Sequence, residues 1–197
     1  MDTYKTISGP SQGTYSQLRS KFLAFASPVR TADEAMAFVA AVQKKYYDAR
    51  HVCYAYMLGA ARDTFRLSDN GEPSGTAGKP ILGQLNSAGL TDVVIAVVRY
   101  FGGIKLGTSG LIQAYRAAAA EAIAAAEVVE KTVDETIRIS FDYLLMNDVM
   151  RIVKDENPAV LAQTFDNLCT MTLAQRASLM PRLCARLENL REVTIED

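Results

Sequence analysis

Two segments of this sequence place glycine among polar and charged side chains. Residues 68–80 read SDNGEPSGTAGKP and residues 98–113 read VRYFGGIKLGTSGLIQ. In the second, an apolar run ends at Arg99-Tyr100, a loop with Gly102, Gly103, Gly107 and Gly110 follows, and a helix is expected to begin near Thr108-Ser109. Free N–H groups at a helix start, glycines that let backbone come close, and Lys105 beside them are what an anion or phosphate requires. The lysine precedes the last glycines, so neither the P-loop spacing nor the dinucleotide fingerprint is present. The plainer reading is that these glycines supply positive-φ turns and close helix–strand packing.

The first segment also has two readings. Asp69 and Glu72 form a carboxylate pair near Thr76 and Lys79, able to bind a cation or take up a proton. Equally, Asn70-Gly71 is a turn signal, and Ser74 or Thr76 can cap a short helix ending before Gly89. His51 is the single histidine. It is either a lone general base or a hydrogen-bonded strand end. Cys53, two residues on, shares its strand face, a poor geometry for a Cys–His nucleophile. The catalytic candidates are therefore His51, Asp69 and Glu72. The anion-binding candidates are Arg99, Lys105, Gly107, Thr108, Ser109, Gly110, Thr76 and Lys79.

Composition narrows the classes. The 197 residues are 49% hydrophobic and 22% charged with a net charge of −1, a globular composition with no overall attraction to nucleic acid or anionic membrane. Three scattered cysteines suit a reduced, cytoplasmic protein better than a disulfide framework. One histidine excludes a multi-histidine metal site, so no metal is expected. No apolar run reaches the roughly 18 residues of a membrane helix, and the N-terminus has no signal-peptide pattern.

The elements that must position these residues divide the chain in two. All twelve glycines precede residue 111, and residues 1–125 carry +4 against −5 for the rest. A first domain over 1–127 and a second over 132–197 are expected, joined near residues 128–132. In the first, residues 4–7 and 18–25 read as strands around a Gly/Pro/Ser loop. Residues 31–48 read as a helix with a Thr31/Glu34 capping box, and 51–58 as a strand. The β-branched run 92–100 is a central strand, and an alanine-rich helix runs from 107/108 to 127. This is an α+β domain with a mainly antiparallel sheet.

The second domain alternates apolar and polar residues over 132–141, as a half-buried strand does. A helix follows from Asp142 to Asn157-Pro158. Strands at 160–165 and 168–173 flank Asp166-Asn167. A helix over 178–190 has Pro181 in its first turn, and a strand covers 193–195. The order β-α-β-β-α-β is ferredoxin-like.

Residues 51–56 (HVCYAY), 68–80 and 97–115 (VVRYFGGIKLGTSGLIQAY) together resemble the signature of the IMPACT/YigZ family. Where that family usually reads D-D-G-E-P, this chain has Asn70 in the second position, which weakens any acidic metal cluster. The resemblance implies a first domain like the second domain of ribosomal protein S5, and a second domain like the fifth domain of elongation factor G. It further implies a role in translation, with the ribosome, RNA or a translation-associated protein as partner. A binding module of that kind would meet nucleic acid near Arg99, Lys105, Lys79 and Arg116, because the second domain is acidic and offers only Arg138 and Arg176. The competing function is an enzyme acting on a small phosphorylated or anionic substrate. Convergence of the two glycine segments on one concave pocket with buried carboxylates favours the enzyme, and a flat basic surface favours the module. No cofactor motif is present, so no cofactor is expected.

Overall fold

The computed structural model describes residues 2–196. The chain is α+β and splits into two compact units, one from Tyr4 to Lys131 and the other from Thr132 onward, joined by Asp2 and Thr3. Among the described residues no helix is long and apolar enough to cross a membrane.

The first unit contains β1 (Thr3–Ile7), β2 (Ser11–Gln17), β3 (Ser20–Pro28), α1 (Ala32–Lys45), β4 (His51–Leu58), β5 (Thr64–Ser68), α2 (Gly78–Ser87), β6 (Val93–Tyr100), α3 (Gly107–Ala124) and β7 (Val128–Thr132). Five strands form an antiparallel sheet in the order β2-β3-β6-β4-β5, and β1 pairs with β7. Helices cover both faces of the larger sheet. α2 and α3 pack on Phe22, Cys53, Ile95 and Val97, while α1 packs on Val52, Tyr54, Val94 and Val98. The central position of β6 therefore explains its unbroken β-branched run, since both faces are buried. Thr31 caps α1 by accepting from the Glu34 N–H at 3.1 Å, while the Glu34 carboxylate accepts from the Arg30 N–H at 2.7 Å.

Two stretches read as loop and linker are strands. The Gly/Pro/Ser loop contains β2, and Gly13 within it is demanded by packing. A Cβ there would lie 2.4 Å from the Ala122 nitrogen on α3. Glycine in a strand interior often marks such a close backbone approach. α3 supplies the matching surface with fully buried Ala114, Ala118, Ala119 and Ala122. Residues 128–132, read as the junction, are β7, so the first unit extends to Lys131. β5 was not visible in the sequence: it is short and largely exposed.

The second unit runs β8 (Asp134–Asp142), a 3-10 turn (Tyr143–Leu145) started by the Asp142 carboxylate, α4 (Met146–Glu156), β9 (Ala159–Thr164), β10 (Leu168–Arg176), α5 (Met180–Glu188) and β11 (Thr194–Glu196). The sheet order β11-β8-β10-β9 is antiparallel throughout, the ferredoxin-like arrangement. Ile137, Ile139, Phe141, Met171 and Leu173 share a core with Val149, Ile152, Leu183 and Leu187. α4 ends at Asn157, whose φ of 51° is left-handed, a conformation asparagine accepts. Asp2 belongs here, with its carboxylate accepting from the Ser178 N–H (3.0 Å) and hydroxyl (2.6 Å) and pairing with Arg176.

Gly13→Ala is expected to lower unfolding stability by at least about 1–3 kcal/mol, the range for overpacking, because the contact is with helix backbone. Urea denaturation followed by circular dichroism measures it. Wild-type stability in the variant would show that α3 does not rest on β2.

Candidate functional site

The sheet register aligns the site. Arg99 on β6 lies opposite Phe22 on β3 and opposite His51 on β4, so the three form one cross-strand row. The row faces α2 and α3, where Phe22 and Cys53 contribute to the core. On α3, Thr108, Leu111 and Tyr115 are spaced three and four apart and share a side. Leu111 and Tyr115 are buried, while Thr108 is exposed.

An ion pair closes this arrangement. Arg99 Nη1 donates to Glu72 Oε1 at 2.6 Å, and the two side chains are only 8% and 4% exposed. The Tyr115 hydroxyl donates to the same oxygen at 2.7 Å. The Arg99 guanidinium also lies 5.7 Å from the Phe22 ring centre and 5.6 Å from that of Phe101, close enough for cation–π attraction. Its Nε is buried without a hydrogen-bond partner. Burial raises the Tyr115 hydroxyl's pKa well above its ordinary value, with Cys53 and Glu72 reinforcing the shift. Tyr115 therefore stays protonated and donating. The Cys53 thiol lies 2.9 Å from the Asp69 carbonyl and 3.4 Å from the Tyr115 hydroxyl, and burial pushes its pKa up to about 12. A thiol held protonated is a poor nucleophile, so Cys53 is part of the core.

Asp69 is a cap. Its Oδ2 accepts from the Gly75 N–H at 2.8 Å, and its Oδ1 accepts from the N–H groups of Ala77 (3.0 Å) and Gly78 (2.8 Å) at the start of α2. Burial alone would raise the Asp69 pKa. The three N–H donors outweigh it, and the carboxyl sits below its ordinary value. Thr76 was expected to cap α2 or to hold an anion. It does neither, because it is fully buried and its hydroxyl donates to the Pro73 carbonyl at 2.6 Å.

Between these groups opens a cleft of 450 Å³, lined by Arg50, His51, Glu72, Pro73, Arg99, Phe101, Lys105, Leu106, Gly107, Thr108 and Leu111. The two glycine segments thus meet on one concave surface. α3 begins with no side-chain cap, so its first N–H groups are left to solvent or a ligand. His51 is oriented by the turn beneath it, with its Nδ1 2.8 Å from the Asn70 carbonyl. A carbonyl only accepts, so Nδ1 carries the proton and the neutral ring keeps Nε2 as an acceptor. Gly71, at φ +84°, permits this approach, because a Cβ would come within 3.2 Å of the His51 ring. Asn70 itself adopts a φ of +39°, which Asn and Asp both tolerate.

Not every expected residue joins this cleft. Lys79 lines a second groove of 540 Å³ with Gly75, Gln84 and Arg116. Ser109 is exposed in the first turn of α3 and Gly110 packs against Leu106, and neither lines the cleft. Arg99, expected as a free cation, is neutralised by Glu72. Sequence reasoning missed Arg50, Tyr115 and Phe101. The signals were there: Arg50 precedes His51, Tyr115 lies two turns after Thr108, and Phe101 follows the strand that ends in Arg99.

Asp69→Asn is expected to cost about 1.5–3 kcal/mol, as loss of a hydrogen bond to a charged group does, because the amide nitrogen cannot accept from the Gly75 N–H. It should also remove an acid-sensitive step. A carboxyl with a lowered folded pKa contributes stability above its unfolded pKa, near 4, and loses that contribution as pH falls through the folded value. The gap between wild type and variant should therefore shrink as the pH falls below about 4. Unfolding free energies measured from pH 7 to pH 2 check this; a gap unchanged with pH would contradict it.

The Impact N-terminal domain family matches residues 18–123, which carry every residue of the cleft. The chain is 30% identical over 180 residues to the IMPACT family member YigZ of Escherichia coli, covering 90% of this chain and 88% of that protein. It is 39% identical over 131 residues to the IMPACT family member YvyE of Bacillus subtilis, covering 66% of this chain but only 60% of YvyE. A crystal structure described as that of an hypothetical protein superposes with a TM-score of 0.77 at 27% identity, covering 99% of this chain and 97% of that one. The sequence signature, its placement around the cleft and near-full-length likeness to YigZ agree: this chain belongs to the IMPACT family.

Proposed function

We propose that this chain is a non-enzymatic, cytoplasmic binding module linked to translation, which captures a phosphate-bearing group of RNA or of the ribosome in the cleft of its first unit. One observation carries this reading: exposed Arg50 and Lys105 and the uncapped start of α3 converge on the cleft, while its carboxylate, Glu72, is already neutralised by Arg99. The field in the cleft therefore favours an anion. The carboxylates expected to do acid–base chemistry are committed elsewhere, Asp69 to three backbone donors and Glu72 to Arg99 and Tyr115. In the second unit, Arg176 is paired with Asp2. One of its two candidate cations is thus offset, which supports an RNA contact on the first unit. The S5-like and elongation-factor-like domains that the sequence resemblance implies would accord with this role.

A second reading has its own support. The surface is concave, it contains buried Glu72, and His51 presents Nε2 as an acceptor with its ring held by Asn70. Those features suit an enzyme acting on a small phosphorylated or anionic substrate.

Cross-linking and pull-down from lysate, with and without ribonuclease, separates the two. The expected result is recovery of RNA that ribonuclease abolishes and that falls in Lys105→Ala, with the salt dependence of RNA binding reduced by about one phosphate contact. RNA recovery unchanged by Lys105→Ala would contradict the assignment of the cleft. Turnover of a phosphorylated small molecule, lost in His51→Gln, would establish the second reading.

A further inference from the structure

The cleft is more than a cluster of cations. Its wall includes Pro73, Phe101, Leu106 and Leu111 beside Arg50, His51 and Lys105, so it offers apolar and anion-binding surface side by side. Phe101 is the notable member. It stands at the end of β6 and is 55% exposed, yet it is held in place. The Arg99 guanidinium lies 5.6 Å from its ring centre, and that guanidinium is itself fixed by Glu72. The next residue, Gly102, donates its N–H to Ser20 Oγ at 3.2 Å. A fixed, half-exposed ring at the mouth of a cationic cleft is a stacking platform for a flat, electron-rich group.

A second observation lies deeper. Arg99 lines the cleft, its side chain is 92% buried, and its Nε has no partner. That nitrogen is itself enclosed, so Arg99 serves the cleft as the fixed support of the Phe101 ring. The free N–H groups at the start of α3, the Thr108 hydroxyl and Lys105 gather donors on one cleft. The volume of 450 Å³ falls within the range of small-molecule sites.

We infer that the ligand of this cleft is a nucleoside 5′-phosphate, its phosphate at Lys105 and the start of α3 and its base stacked on Phe101. This rests on the anion-binding reading above and names the chemistry it serves. The same chemistry is carried by a free mononucleotide and by the 5′-phosphorylated end of an RNA strand.

The single histidine makes the test direct, because His51 lines the cleft and its imidazole resonances belong to one residue. The full chain is titrated with adenosine 5′-monophosphate, ribose 5-phosphate, inorganic phosphate and a short 5′-phosphorylated oligoribonucleotide while those resonances are followed. The expected result is that adenosine 5′-monophosphate binds about ten-fold more tightly than ribose 5-phosphate, as one stacking contact provides. Phe101→Leu should erase that margin by weakening adenosine 5′-monophosphate about ten-fold more than ribose 5-phosphate, whereas Lys105→Ala should weaken both about equally. An oligoribonucleotide that binds more tightly than the mononucleotide identifies an RNA end as the source, and one that binds no better identifies a free nucleotide. Equal binding of adenosine 5′-monophosphate and ribose 5-phosphate would overturn the nucleotide assignment and leave the anion site standing. No His51 shift with any of the four would overturn both.

Discussion

The buried pair between Glu72 and Arg99 is the constraint on which the first unit's surface depends. Removing two charges from water costs several kcal/mol per ion, and only close geometry and further hydrogen bonds recover it. Here both are present: a 2.6 Å contact, a second donor from Tyr115 on the same oxygen, and aromatic rings near the guanidinium. Three elements distant in sequence must meet for this: the turn before α2, the end of β6, and the third turn of α3. The two glycine-rich segments lie side by side because one supplies the carboxylate and the other the guanidinium.

The rest of the unit supports that meeting. The antiparallel register sets Phe22, Arg99 and His51 in one row. Gly13 and the alanine face of α3 let the helix approach close enough for Tyr115 to reach Glu72. Asp69 organises the turn from both sides: its carboxylate holds the start of α2, and its carbonyl receives the Cys53 thiol and the Glu72 N–H. What remains exposed after these bonds are made is a cleft with cations on its rim and a neutralised carboxylate at its wall.

Much of the fold was legible because periodicity reports burial. The run of β6, the capping box of α1 and the β-α-β-β-α-β order follow from patterns of apolar residues and caps. β2 was not legible, since Gly13 reads as a loop residue until one knows that a helix backbone lies 2.4 Å from where its Cβ would be. β7 was missed because five largely exposed residues carry no burial pattern. At the site, the residue types pointed to the right region, but their roles depend on long-range partners. Asp69 reads as a free acid until its three donors are placed, and Arg99 as a free cation until Glu72, 27 residues away, is found against it. Thr76 and Lys79 share a segment with Glu72, yet one turns inward and the other faces a separate groove.

A double-mutant cycle at Glu72 and Arg99 tests the clasp most directly. Urea unfolding of Glu72→Gln, Arg99→Met and the double variant gives the coupling between the two side chains. The account predicts that each single change costs about 3–5 kcal/mol, as breaking a buried pair does. It also predicts that the double variant costs less than the sum by about 1–3 kcal/mol. Additivity of the two single costs would show that the pair does not hold the two segments together.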